Sequence, residues 1–215
     1  AATTQPALLE KLRRLEGVDA ESMEAYWIVN AIYCRADARA IRSISEWDGI
    51  AGIEPDLEPE LLDVEAAPTP SAPIPNGKEP GLTAINAPAM WALGYTGSGA
   101  KVLVMDSRQE FDHPALRSSY WGHYAPRSQA YTGEEDTPAY CGEHGTHVAG
   151  IILGLDRRTN DTIGVAFNAN WMSAPIAFED CSFLGNVTPS TLPSFQWAPN
   201  PDGNGKRVSV SQERR

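Results

Sequence analysis

The pattern of hydrophobic and polar positions over residues 1–56 predicts the order helix, strand, helix, strand. Leucines at helical spacing predict a first helix, which Gly17 ends. The run 26–33 is rich in β-branched and aromatic side chains, so it predicts a strand. The leucines of the first helix are Leu8, Leu9, Leu12 and Leu15.

The second half of this region repeats the alternation. Asp37 is placed to cap a helix that runs to about Trp47. One face of that helix carries Ala40, Ile41 and Ile44. The apolar run 49–54 then predicts a short strand. Two strands and two helices make a small α+β unit, which is marginal alone because so short a chain buries little surface.

Residues 57–82 are rich in proline, alanine and acidic side chains and carry few apolar anchors. Such a composition favours an extended, semi-rigid polyproline II segment. We therefore predict a linker here, with a domain on either side.

From residue 83 onward the pattern becomes that of an α/β protein. A continuous apolar run at 101–105 ends in Asp106 and is typical of a strand buried on both faces. A helix with Pro88 in its first turn precedes it over 85–93. Residues 144–155 are small and apolar all round, which predicts a buried helix, and 171–176 predict the next strand. Strand, helix, strand is the repeating unit of a doubly wound parallel sheet.

Composition narrows the class of function. The 215 residues are 42% hydrophobic and carry a net charge of −11, with a pI near 4.8. An acidic surface argues against binding to nucleic acids or to anionic membranes. No apolar run approaches the roughly 18 residues that a membrane span needs. Residues 1–6 lack a basic region and an apolar core, so we expect no signal peptide in this chain.

The cysteine count is odd, so at most one internal disulfide can form. The residues are Cys34, Cys141 and Cys181, and the sequence leaves a pairing of Cys141 with Cys181 open.

Two stretches carry candidate chemistry. Asp106 follows a predicted buried parallel strand, where α/β sheets bind ligands, although an Asp there can also simply begin a turn. His144 opens the next predicted helix, and an imidazole oriented by a carboxylate works as a general base. Cys141, His144 and His147 are also spaced like three zinc ligands, but structural zinc needs a fourth. Hydrogen-bonded core histidines are the remaining alternative.

The sequence His-Gly-Thr-His-Val-Ala-Gly at 144–150 resembles the catalytic-His signature of the subtilisin-like serine proteases, or subtilases. Residues 102–107 and 112–116 resemble the catalytic-Asp block of that family, and Asp precedes His as in subtilisin. Residues 163–169 resemble the turn after the His helix. Residues 87–99 resemble the entry to the mature domain of these proteases. Two further stretches, 120–122 and 195–197, are similar to the bacillopeptidase F-type branch.

The resemblance implies a domain order. Residues 1–56 would be a ferredoxin-like α+β propeptide that inhibits the protease, and 57–82 would be the linker. Residues 83–205 would form the N-terminal part of the catalytic domain, a partial doubly wound parallel sheet, followed by a tail at 206–215. The end of the propeptide, within 56–63, would lie in the substrate cleft.

The resemblance also implies roles. Asp106 would orient and stabilise His144, and His144 would move the proton between a serine hydroxyl and the leaving amine of a polypeptide substrate. His147 would pack and hydrogen-bond beneath the site. Calcium is common in the family, and a secreted protein is expected.

The sequence departs from the family pattern at several places. No Gly-Thr-Ser follows His144, and the Asn-Ser-Trp type of oxyanion donor is missing. Arg108 stands where the family has Gly, which would crowd the Asp turn, and Phe167 replaces a usual Pro. The serines after His144 lie in other contexts; they are Ser173, Ser182, Ser190, Ser194, Ser209 and Ser211.

These departures leave three functions open. The first is a serine endopeptidase precursor, present as a truncated fragment that is inactive alone. The second is a non-catalytic pseudoprotease whose propeptide-like domain inhibits an active protease or assists its folding. The third is a zinc-binding module.

Overall fold

The computed structural model describes residues 4–57, 75–133, 143–176 and 187–201. They form two compact units, one with 4–57 and 187–197, the other with the remaining described residues. The helices are α1 (Gln5–Arg13), α2 (Ala38–Ser45), α3 (Pro80–Ala84), α4 (Ala87–Ala92), α5 (His144–Leu153) and α6 (Val187–Trp197). The strands are β1 (Val18–Tyr26), β2 (Ala31–Ala36), β3 (Lys101–Asp106), β4 (Leu155–Asp156), β5 (Asp161–Thr162) and β6 (Asn170–Pro175).

The sheet of the first unit is an antiparallel hairpin of β1 and β2. Residues 27–30 form its turn, which Asn30 closes with a left-handed φ of 51°. The predicted single strand over 26–33 is therefore wrong, because the chain reverses in the middle of that run. Asn tolerates the left-handed conformation that β-branched residues avoid. The turn leaves Trp27 and Val29 46% and 54% exposed.

The two helices that flank this hairpin were predicted from the leucine spacing and the Asp37 cap, and both form. Oδ1 of Asp37 accepts hydrogen bonds from the backbone N–H groups of Arg39 (2.9 Å) and Ala40 (2.8 Å). The sequence predicted that Ile41 shares the apolar face of α2 with Ala40 and Ile44. Ile41 is 42% exposed, so that prediction is wrong for this residue. The buried apolar residues of this unit include Leu12, Tyr26, Ala40 and Ile44.

The predicted strand over 49–54 does not form. Gly49 has a φ of 87° and the residues after it are irregular, so the chain leaves the hairpin instead of adding to it. Oδ1 of Asp56 accepts hydrogen bonds from the Thr188 backbone N–H (3.2 Å) and hydroxyl (2.7 Å). Gln196 Oε1 accepts another from the Trp27 N–H at 2.6 Å. These bonds tie α6 to the first unit, whereas the sequence placed it in the second domain.

The second unit contains the parallel pair expected of an α/β fold. Strands β3 and β6 run side by side, from Lys101 opposite Asn170 to Asp106 opposite Pro175. Helix α5 lies between them in the chain and contacts β3, which completes a β-α-β unit. Its core is formed by Val104, Leu116, Tyr120, Ala130, Ala149, Leu153, Ala169 and Trp171.

The helix α5 is not buried all round as predicted. Ala149 and Leu153 are buried, whereas Ile151 is 50% exposed. Within the described ranges, β3 pairs only with β6, and of its residues only Val104 is fully buried. Both elements therefore present apolar side chains to solvent in this unit.

The end of the predicted linker is folded. The N–H groups of Asn76 and Glu79 donate to the carbonyls of Thr159 (2.9 Å) and Thr162 (3.1 Å) in the β4–β5 hairpin region. Residues 75–82 therefore belong to the second unit, and 58–74 lie outside the described residues. None of the described helices has the length and apolar character needed to cross a membrane.

Candidate active site

Asp106 is the last residue of β3, and its side chain is 14% exposed. Its Oδ1 accepts a hydrogen bond from the Ser107 backbone N–H at 2.7 Å, which orients the carboxylate at the end of the strand. The carboxyl end of a parallel strand is where open α/β sheets place their functional groups.

His144 begins α5, and its Nδ1 lies 2.6 Å from Asp106 Oδ1. An ionised carboxylate only accepts, so Nδ1 is the donor and carries the proton. A neutral ring then has its lone pair on Nε2. The His144 side chain is 67% exposed, so the imidazole is open to a reacting group.

The first turn of α5 docks directly on the loop that follows β3. The Gly145 N–H donates to Ser107 Oγ at 2.9 Å, and the Glu110 N–H donates to Thr146 Oγ1 at 2.9 Å. A side chain at 145 would strike the loop, since a Cβ there would lie 2.3 Å from the Ser107 carbonyl oxygen. The Gly-Thr pair after His144 thus sets how closely the helix approaches Asp106.

Comparison with known proteins assigns this arrangement to a family. The model of the subtilase family (peptidase S8) matches residues 97–208, which is more than half of the chain. The chain belongs to the subtilase family. It is therefore a member of a family of serine proteases, as the heptapeptide at 144–150 indicated.

Individual subtilases are similar over different lengths. Bacillopeptidase F of Bacillus subtilis (strain 168) is 26% identical over 193 residues, 83% of this chain and 13% of its own length. Subtilisin E of the same organism is 33% identical over 138 residues, 64% of this chain and 30% of its own. Human neuroendocrine convertase 2 is 28% identical over 145 residues, 62% and 22% of the two chains. The chain thus spans less than a third of the length of these relatives.

Arg108 does not disturb the turn that follows Asp106. It is 7% exposed, and its φ is not positive, unlike that of several other described residues. A glycine is required only where φ is left-handed or the backbone is approached closely. The bond between Asp106 and His144 forms with Arg108 in place, so the predicted crowding is wrong.

The other candidate site residues are not arranged as the sequence predicted, or lie outside the described residues. His147 is exposed rather than packed beneath the site, because it lies on the solvent side of α5. Cys141 lies outside the described residues, as does Cys181. Among the residues that the structure describes, no group of three or more His, Cys, Asp or Glu could hold a metal ion, so nothing confirms zinc or calcium. Cys34 is a free, partly buried thiol.

Sequence reasoning missed three side chains that build the site. Ser107 and Thr146 accept the bonds that dock α5, and Gln109 is fully buried beside them. A Gln next to an Arg after a strand is typical of an exposed turn, so no sequence signal marked it. Ser173 is also fully buried and bonds to Gln109, so it is not available as a nucleophile.

Proposed function

We propose that this chain is part of a subtilisin-like serine endopeptidase precursor, in which Asp106 and His144 form the acid–base pair of an Asp-His-Ser triad. The observation that supports it most strongly is the 2.6 Å hydrogen bond between the Asp106 carboxylate and His144 Nδ1, with the imidazole largely exposed. The substrate is a polypeptide, and the protein acts outside the cell.

The chemistry follows from the two side chains. Asp106 holds the proton on Nδ1, which leaves Nε2 of His144 as the base. As a serine hydroxyl attacks a peptide carbonyl, Nε2 takes its proton, and the negative Asp106 stabilises the imidazolium that forms. Nε2 then returns the proton to the leaving amine, so His144 is unchanged after each bond is cleaved.

The nucleophile is the missing third group of this proposal. No Gly-Thr-Ser follows His144 in the 215 residues, and Ser173 is buried. Without the serine there is no acyl-enzyme, so the 215 residues alone are inactive. The serine would lie in polypeptide that corresponds to the part of the relatives that this chain does not match.

A fluorophosphonate probe and a casein substrate test both parts. We expect no labelled serine in the 215 residues, and labelling with casein hydrolysis in a longer product of the same reading frame that carries Gly-Thr-Ser. In that longer protein, Asp106→Asn lowers kcat about 10⁴-fold and His144→Ala at least as much. His147→Ala is the matched control, because His147 is exposed on the same helix, and it keeps activity.

Two results would each reject a part of the proposal. One is a labelled serine in the 215 residues, which would overturn the inactivity of these residues alone. The other is undiminished hydrolysis by the His144→Ala form of the longer protein.

We further propose that residues 1–56 act as an inhibitory propeptide, because 4–57 carry a hairpin, two helices and buried apolar residues of their own. A non-catalytic inhibitor would use the same unit. The 215-residue protein is therefore expected to slow subtilisin E at micromolar concentration, measured by steady-state peptide hydrolysis. An unchanged rate would count against both the propeptide and the non-catalytic inhibitor hypotheses. It would not bear on the proposed roles of Asp106 and His144.

A further inference from the structure

We infer that Gln109 is a positioning residue for the Asp106–His144 pair, an inference that rests on the proposed function. Its side chain is fully buried, and both ends of its amide are used. The Nε2 group donates to the Ser107 carbonyl, and Oε1 accepts from the Ser173 hydroxyl. One side chain thus connects β6 to the loop that follows Asp106.

Ser107 is the link between Gln109 and the pair. Its carbonyl receives the Gln109 amide, its N–H donates to Asp106 Oδ1, and its Oγ accepts from the Gly145 N–H. The first bond fixes the loop, the second fixes the carboxylate, and the third fixes the helix that carries His144. A rotation of the Ser107 peptide would change both partners of the 2.6 Å bond at once.

Ser173 supplies the rigid end of this connection. It lies in the middle of β6, opposite Val104 of β3, and is fully buried. Its N–H donates to the Ala130 carbonyl at 2.9 Å, and its carbonyl accepts from the Thr132 N–H at 3.3 Å. Strand β6 is therefore flanked by β3 on one side and by the 130–132 segment on the other, and the Ser173 backbone bonds to the latter. Through Gln109, this fixed strand sets the position of the loop.

Gln109 does more than fill space, because it hydrogen-bonds two other polar groups, the Ser107 carbonyl and the buried Ser173 hydroxyl. An apolar side chain at 109 would leave the Ser107 carbonyl and the Ser173 hydroxyl without the partner that they now have. Buried polar groups are costly unless they are hydrogen-bonded, and satisfied networks rigidify what they connect. Gln109 has the reach and the donor–acceptor pair to satisfy both groups at once.

The test compares two ring N–H protons by NMR in the 215-residue protein. The His144 Nδ1–H reports the pair, and its signal is assigned by its loss in His144→Ala. The Trp171 Nε1–H, which donates to the buried Leu116 carbonyl at 3.2 Å, reports the packing of the same unit. In Gln109→Met, which keeps the side-chain length, we expect His144 Nδ1–H to exchange with water about tenfold faster, equivalent to about 1.4 kcal/mol. Trp171 Nε1–H exchange stays unchanged.

Ser173→Ala is the second variant. It retains the bond from Gln109 to Ser107 but removes the anchor, so the acceleration at His144 should be smaller and in the same direction. Should Gln109→Met fail to fold, Ser173→Ala decides the matter by the same two signals.

Two outcomes overturn the inference. Unchanged His144 exchange in a folded variant shows that Gln109 does not hold the pair. Equal acceleration at His144 and Trp171 shows a general loss of packing and no positioning role. Asp106→Asn distinguishes a failure of this inference from a failure of the proposed function. If the His144 Nδ1–H signal is the same in Asp106→Asn as in wild type, the Asp106–His144 pair itself is refuted, and both proposals are rejected.

Discussion

Gly145 packs so tightly against Ser107 that an added Cβ would lie 2.3 Å from the Ser107 carbonyl oxygen. The contact joins the first turn of α5 to the loop after β3. His144 and Asp106 are the chain neighbours of these two residues, so their 2.6 Å hydrogen bond depends on the bare backbone at 145.

Gly145→Ala should therefore destabilise the protein, although alanine is the better helix former. The methyl group must push α5 away from the loop and weaken the bond from the 145 N–H to Ser107 Oγ. Overpacking of this kind costs about 1–3 kcal/mol. Urea unfolding measures the loss, and the His144 Nδ1–H signal should weaken with it.

Gly150→Ala is the matched control on the same helix. Nothing described lies within 4 Å of a Cβ at 150, so the only change is in backbone entropy, and about 0.5–1 kcal/mol of added stability is expected. If the two variants shifted stability alike, close packing at Gly145 would not be the cause.

The β-α-β unit could be predicted because each of its elements is specified locally. The apolar run before Asp106 favours a strand, and the small residues after His144 suit a helix that packs closely. Parallel strands joined by a helix bring the end of one strand towards the start of that helix. The pairing of Asp106 with His144 itself was implied by the resemblance to the subtilases.

The hairpin at 26–33 and the role of Gln109 could not be predicted in this way. Composition favoured a strand through the whole run, and only the left-handed backbone of Asn30 divides it. Gln109 is buried because Ser173 of a distant strand offers a partner, and such a pairing leaves no periodic trace in the sequence.

Acid should weaken the first unit through Asp37. The N–H groups of Ala40 and Arg39 hold the pKa of its carboxyl below the usual 3.8, the bond from Ala40 contributing most. A folded pKa below the unfolded one adds stability above about pH 4, and that stability is lost as pH falls through the folded pKa.

The comparison of Asp37→Asn with Asp37→Ala checks this by thermal unfolding between about pH 6 and about pH 2.5. The Asn variant keeps an acceptor for the helix cap and should lose part of the acid dependence. The Ala variant has no cap and should melt lower at every pH. An acid dependence that is the same in wild type and Asp37→Asn would exclude this carboxyl as its source.

Alkali should weaken the second unit through Tyr120. The pKa of its phenol is raised from 10.0 to about 12, and burial is the main cause. A raised pKa favours the neutral form, so this contribution is complete below about pH 10 and disappears as pH rises towards 12. Tyr120→Phe should flatten the fall in urea midpoint over that window. Tyr95→Phe is the control, because Tyr95 is 66% exposed, and an equal effect of the two variants would contradict the assignment.

Phe167, which stands where the family usually has Pro, should stabilise the second unit through Trp91. The two rings meet edge to face with centroids 5.2 Å apart, and the Trp91 Nε1–H donates to the Val165 carbonyl at 2.9 Å. Helix α4 is thereby attached to the turn that follows β5. Such aromatic pairs contribute about 0.5–1.5 kcal/mol beyond their buried area.

A double-mutant cycle of Trp91→Leu and Phe167→Leu isolates this term, because the lost indole hydrogen bond appears equally in both arms that remove Trp91. We expect a coupling free energy of about 0.5–1.5 kcal/mol from urea unfolding. Additive effects within about 0.3 kcal/mol would show that the rings do not interact. In that case α4 would be held to the turn by the bond to the Val165 carbonyl, and Phe167 would be a neutral replacement for proline.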